Sequence, residues 1–188
     1  MKKSLIASLI AGLAFSTTAM AEHSYIKLEG VHYNYSSQPN DKNGFNLQIG
    51  TEVGNGIKLD VKNEFRVEET AHKSSNRLEA GATYEAKVWD KIGVSLRGSL
   101  GEKYADDTNH GYYTIEPGVS YALNDALKLK ASYRLRDAFS DSRNDHTNTY
   151  KIGADYDLNK TAYVTGSIGR TTGDQEYTSL QGGVGIRF

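Results

Sequence analysis

Residues 57–68, Ile57-Lys58-Leu59-Asp60-Val61-Lys62-Asn63-Glu64-Phe65-Arg66-Val67-Glu68, alternate with a period of two. Ile57, Leu59, Val61, Phe65 and Val67, with Asn63, share one face, and every side chain on the other is charged. That is the signature of a strand with one apolar and one solvated face, and a helical period does not fit it. Residues 77–88 repeat the pattern, with Leu78, Ala80, Ala82, Tyr84, Ala86 and Val88 against Arg77, Glu79, Gly81, Thr83, Glu85 and Lys87. So do residues 127–136, where Leu127, Leu129, Ala131, Tyr133 and Leu135 oppose Lys128, Lys130, Ser132, Arg134 and Arg136.

Outward from these three runs the chain divides into ten such segments, about 23–35, 43–53, 56–68, 76–88, 91–104, 110–123, 126–137, 146–158, 160–171 and 177–188. Short connections alternate with longer ones. Gly54-Asn55-Gly56, Trp89-Asp90, Asn124-Asp125 and Asn159-Lys160 are tight-turn sequences, whereas 36–42, 69–75, 105–109, 138–145 and 172–176 are longer and polar. Short turns at one end, longer loops at the other and an even strand count describe an antiparallel up-and-down barrel of the outer-membrane type. Ten strands are expected, with twelve or eight as alternatives. Two places are untidy. Ile26 and Leu28 differ in parity from Val31, Tyr33 and Tyr35, which a bulge near Gly30 would repair, and Pro117 interrupts the sixth segment.

Composition narrows the class. The 188 residues carry no cysteine, two prolines, 19 glycines and 13 tyrosines, and the mean hydropathy is −0.57. No disulfide framework, thiolate metal site or cysteine nucleophile is available, and a net charge of −1 opposes nucleic-acid binding by bulk charge. Residues 1–21 read as a secretory signal peptide, with Lys2 and Lys3 before the apolar run Leu5–Phe15 and an Ala19-Met20-Ala21 cleavage site. The mature domain is then the outer-membrane barrel of residues 22–188, with 20 basic and 23 acidic side chains, a net −3. Aromatic side chains gather near segment ends: Trp89, Tyr121, Tyr156 and Phe188 at the short-turn end, Tyr104, Tyr113, Phe139 and Tyr150 at the loop end. Amphipathic rings belong at the two headgroup levels, which is the expected reason for the tyrosine excess.

In lipid the apolar faces meet acyl chains and the charged faces line the lumen. On this register the lumen holds fourteen bases (Lys27, Lys58, Lys62, Arg66, Arg77, Lys87, Arg97, Lys103, Lys128, Lys130, Arg134, Arg136, Lys151 and Arg187). It holds ten acids (Glu29, Glu52, Asp60, Glu64, Glu68, Glu79, Glu85, Glu116, Asp155 and Asp157), so its net charge is about +4. Lys58, Asp60, Lys62, Glu64, Arg66, Glu79 and Glu85 mix signs and are expected to pair across strands. Arg97, Lys103, Lys128, Lys130, Arg134 and Arg136 form a candidate basic track, and segment seven is expected to be an unpaired basic wall. The loops are acidic instead, since Asp41, Glu69, Asp106, Asp107, Asp137, Asp141, Asp145, Asp174 and Glu176 outnumber Lys42, Lys73 and Arg143, a net −6.

Ten strands at roughly 40° tilt and 4.8 Å spacing enclose a backbone radius of about 10 Å, too narrow for general diffusion once side chains fill it. The expected function is a narrow porin-like channel favouring small anionic solutes or acidic oligosaccharides. The alternative is a charge-plugged structural or adhesive barrel resembling the OmpA/OmpX type, although loops of at most about eight residues leave little adhesive surface. A third reading, an outer-membrane enzyme, would need an acid–base pair at the rim, with His110 near Asp106 and Asp107 or His146 beside Asp145 as its material. No nucleophile accompanies either histidine, so no catalytic residue, metal ligand or cofactor is expected.

In these features, from the alternating Lys58–Arg66 face through the Lys/Arg strand 128–136 to the closing Gly185-Ile186-Arg187-Phe188, the chain resembles the small monomeric KdgM/NanC-like porins of the oligogalacturonate and sialic-acid channel type. The resemblance implies a monomeric Gram-negative outer-membrane channel that passes acidic sugars along basic side chains, here Lys128, Lys130, Arg134 and Arg136. That family usually has twelve strands, so ten is a departure. The last strand, ending Leu180, Gly182, Val184, Ile186 and Phe188 on one face, also resembles the strand that the barrel assembly machinery reads. Outer-membrane lipid and lipopolysaccharide are the other expected partners.

Overall fold

The computed structural model describes residues 24–36, 41–68, 73–105, 109–140 and 145–188. The signal peptide expected over residues 1–21 lies outside the described residues. Ten strands follow in chain order: β1 (Ser24–Tyr35), β2 (Lys42–Gly54), β3 (Ile57–Glu68), β4 (Lys73–Lys87), β5 (Ile92–Ala105), β6 (Asn109–Ala122), β7 (Leu127–Ala138), β8 (Thr147–Asp157), β9 (Ala162–Gly173) and β10 (Tyr177–Arg187). Each pairs antiparallel with its neighbours, and β1 closes on β10 from Tyr25↔Arg187 to Tyr35↔Tyr177, so the sheet has no free edge. Following the register once around the wall returns to β1 displaced by about twelve residues, which for ten strands gives a tilt near 40° and a radius of about 10 Å.

The barrel is apolar outside and polar inside. Leu96, Leu100, Ile115, Ile152, Ile168, Leu180 and Val184 are all exposed, whereas Glu29, Asp60, Glu64, Arg66, Arg77, Glu79 and Arg136 are buried. A water-soluble fold cannot afford that arrangement, and a lipid-embedded one requires it. Asn63, the polar residue on the lipid face of β3, donates its amide to Asn76 Oδ1 at 2.8 Å and so carries its own partner.

The turns show why the register holds. At the β2–β3 turn Gly54, Asn55 and Gly56 all have positive φ (106°, 53° and 75°), and the register slips between Glu52 and Gly54. The irregularity therefore sits at this turn and not near Gly30. β1 runs through Gly30 in unbroken register with both neighbours, so Val31, Tyr33 and Tyr35 point inward beside Lys27 and Glu29. Pro117 costs what its missing N–H demands: the β6–β7 ladder runs from Ile115↔Leu135 to Gly118↔Ser132 with the two positions between them unpaired, in the same register.

The tyrosines divide. Tyr84, Tyr104, Tyr113, Tyr121, Tyr133, Tyr150 and Tyr156 face outward, while strand parity turns Tyr25, Tyr33, Tyr35, Tyr112, Tyr163 and Tyr177 into the lumen. Headgroup anchoring thus explains only part of the excess. The inward rings serve the charges: Arg66 lies 4.0 Å from the Tyr33 centroid and 5.1 Å from that of Tyr177, and Arg187 lies 4.3 Å from that of Tyr163.

Candidate functional site

Strand alternation delivers the charged side chains to the lumen, and the barrel's stagger decides which of them meet. At the waist Glu79 (β4) accepts from Arg97 (β5), from Arg134 (β7) and from the Tyr112 hydroxyl at 3.2 Å. Arg97 also clamps Asp60 (β3) two-handed, Nη2 to Oδ2 at 2.7 Å and Nε to Oδ1 at 3.1 Å. Above it Glu64 accepts from Arg66 and, at 2.9 Å, from Arg77, while Arg66 donates across to the Tyr177 and Tyr35 hydroxyls at 3.2 Å each. Arg134 and Glu79 stand three strands apart around the wall, and so do Arg66 and Tyr177. On a radius near 10 Å such a pair spans a chord of about 15 Å, so these contacts bridge the lumen instead of running along its wall.

The opposite wall is built differently. β8, β9 and β10 present Thr147, Thr149, Thr165, Ser167, Thr171 and Ser179 inward, side chains too short to reach the centre. Between this hydroxyl wall and the arginines a cavity of about 40 Å³ remains, enough for a few water molecules. On the short-turn side the lumen opens into a vestibule of about 1090 Å³. Its charged lining is Lys27, Lys58, Lys87, Lys91, Lys128, Lys130, Lys151, Lys160 and Arg187 against Glu52, Glu85, Asp90, Glu116, Asp155 and Asp157, a net +3.

At the loop end Asp145, two residues before β8, is fully buried inside the mouth. Its Oδ1 accepts from Arg136 Nη2 at 2.7 Å and from Gln175 Nε2 at 3.3 Å, Lys103 Nζ lies 3.8 Å away, and Oδ2 lies 3.1 Å from His110 Nε2. Burial opposes its charge, but Arg136, Arg77 and Lys103, with the His110 hydrogen bond, more than offset that and hold its carboxyl below the ordinary carboxylate range. The sequence pattern places Asp145 on the acidic outer rim; it lies instead buried inside that outer mouth, and no local signal marks it. His110 pairs with Asp145, and His146 pairs with Asp137 at 3.1 Å.

All six residues of the basic track face inward, but the unpaired wall expected on segment seven is not what the fold builds. Lys130 holds Asp155 at 2.6 Å, Arg134 holds Glu79, Arg136 and Lys103 surround Asp145, and Arg97 joins Asp60 to Glu79. Lys128 alone of the six faces the vestibule without an ion pair among the described residues. In the mixed set Lys58 meets Glu85 at 2.7 Å, Lys62 lies 3.8 Å from Glu64, and Asp60, Glu64, Arg66 and Glu79 form the waist. The free positive charge therefore lies below the waist and not through it. Among the described residues no group of carboxylates and histidines could hold a metal ion.

No curated protein sequence matches the chain. Among solved structures, the NanC porin superposes with a TM-score of 0.59 at 9% identity, over 87% of this chain and all of that one. A COG4313 outer-membrane channel from Pseudomonas putida F1 gives 0.57 at 9% identity, over 89% and 96%. The KdgM porin in complex with disordered oligogalacturonate gives 0.48 at 12%, over 88% and 99%. At these identities the likeness is one of fold, and that to the NanC porin agrees with the KdgM/NanC-like resemblance in the sequence. A family model for Gram-negative porins matches residues 10–176, so this chain, a ten-stranded outer-membrane channel and not an enzyme, belongs to the Gram-negative porin family.

Proposed function

We propose that this porin-like channel is narrow and favours small anionic solutes. The observation that carries the reading is the contrast between the vestibule, with its net +3 and its unpaired Lys128, and the waist, where each carboxylate is held by arginine. An anion drawn into the vestibule meets Lys27, Lys128, Lys130 and Lys151 before the hydroxyl wall of β8–β10. A cation meets the same field as a barrier. A residual cavity of about 40 Å³ favours small anions over acidic oligosaccharides, whose passage requires the bridges from Arg134 and Arg66 to part. The supporting proposals are export through the residue 1–21 signal peptide, recognition of β10 and Phe188 by the assembly machinery, contact with lipopolysaccharide and function as a monomer.

The lumen-spanning Arg134–Glu79 pair favours a second reading, a charge-plugged structural barrel. Planar-bilayer recording of the refolded protein separates the two. Unitary currents whose reversal potential follows the anion gradient, and shifts toward the cation gradient in Lys128→Gln/Lys130→Gln, support the channel. Absence of any unitary current, with the barrel intact by heat-modifiable gel mobility, supports the plug.

A further inference from the structure

The carboxylate of Asp145 sits among donors that arrive from four separate places: Arg136 on β7, Lys103 on β5, His110 on β6 and Gln175 in the β9–β10 turn. Because an ionised carboxylate only accepts, His110 Nε2 must carry the proton that faces it. Two full positive charges, Arg136 and Lys103, therefore meet one negative charge, and the site stays basic with its carboxylate in place. Asp145 also uses the Arg136 fork incompletely. It engages Nη2 at 2.7 Å, while Nε is buried without a partner among the described residues. A carboxylate free to orient itself takes Nε and Nη2 together, the two-bond geometry that arginine presents. The donors thus form a better receptor for an untethered carboxylate than for the tethered one that fills them.

We infer that Arg136, Lys103, His110 and Gln175 form a carboxylate-binding site at the outer mouth, occupied in the resting protein by its own Asp145. The ligand class is a small carboxylic acid, which displaces Asp145 on entering from the loop side. In naming an anionic ligand the inference rests on the anion reading of the lumen, but it concerns binding and not conduction.

The test is chemical rescue of the refolded protein. Asp145→Ala leaves Arg136 and Lys103 facing each other unneutralised, and its unfolding midpoint falls. Acetate in the millimolar range restores that midpoint with a saturable dose dependence, while chloride at equal ionic strength does not; in the wild type acetate has to displace Asp145, so its specific effect over chloride appears only at concentrations at least tenfold higher. In Asp145→Ala/Arg136→Lys, which keeps the charge and removes the fork, acetate affinity drops at least tenfold. Should Asp145→Ala fail to fold, Asp145→Asn keeps the shape of the side chain and takes its place in the same titration. Equal effects of acetate and chloride on the variant overturn the inference. A barrel that carries no unitary current yet shows acetate rescue keeps this site and loses the channel reading; a conducting barrel without rescue does the reverse.

Discussion

Arg134 on β7 donates to Glu79 on β4 across the lumen, so a single ion pair ties together two walls that lie three strands apart. Glu79 is also the acceptor for Arg97 and Tyr112, which makes it the keystone of the waist. Glu79→Gln leaves two arginines without their shared counter-charge in a buried setting. Urea unfolding of the variant in detergent is expected to show a loss of about 3–5 kcal/mol. Single-channel conductance rises at the same time, because Arg134 no longer bridges the lumen.

Ile115 lies midway along β6 on the outer face and is about half exposed. On a water-soluble protein Ile115→Arg would be almost neutral. In a bilayer it places a charge near the midplane and is expected to destabilise the barrel by roughly 2–4 kcal/mol. Unfolding in lipid vesicles measures it, and an unchanged midpoint would contradict the lipid-facing assignment.

Gly183 sits on the closing strand pair opposite Glu29. A Cβ there would come within 2.1 Å of the Leu28 carbonyl oxygen on the neighbouring strand, and backbone does not yield as a side-chain tip does. Gly183→Ala is therefore expected to cost about 1–3 kcal/mol as overpacking and to slow closure of the β1–β10 seam. The fraction of heat-modifiable folded barrel on a gel, followed in time, reports both. Gly183 thus serves close strand packing at the seam, whereas a Cβ at Gly182 would meet open space.

Asp145 titrates below the ordinary carboxylate range because Arg136, Arg77, Lys103 and His110 oppose the cost of burying it. A carboxyl depressed on folding contributes stability above its unfolded pKa, about 3.9, and loses it as pH falls through the folded value. The stability difference between wild type and Asp145→Asn is expected to be flat from about pH 5 to 6 and to shrink below about pH 4. Denaturant midpoints of both proteins across that range give the measurement.

Much of this was legible in local pattern. Lys58, Asp60, Lys62, Glu64 and Arg66 face the lumen because a strand has a period of two, and Asn124-Asp125 and Asn159-Lys160 turn because their Asn side chains cap the backbone: Asn124 Oδ1 accepts from the amides of Ala126 and Leu127, and Asn159 Oδ1 from those of Thr161 and Ala162. Tyr33 and Tyr35 misled for an equally local reason. An amphipathic ring fits the headgroup level and the lumen alike, and only the unbroken register through Gly30 chooses between them.

Local pattern along the chain defines a barrel, the approximate bounds of its strands and the inward or outward sense of nearly every side chain, since alternation and turn chemistry act over a few residues. Which charges neutralise each other follows only from the closed fold. Arg134 meets Glu79 across 55 residues of chain, and Asp145 leaves the acidic rim to lie under Arg136 and His110. Partners across a lumen depend on strand number and stagger together, and both become defined only when β1 closes on β10.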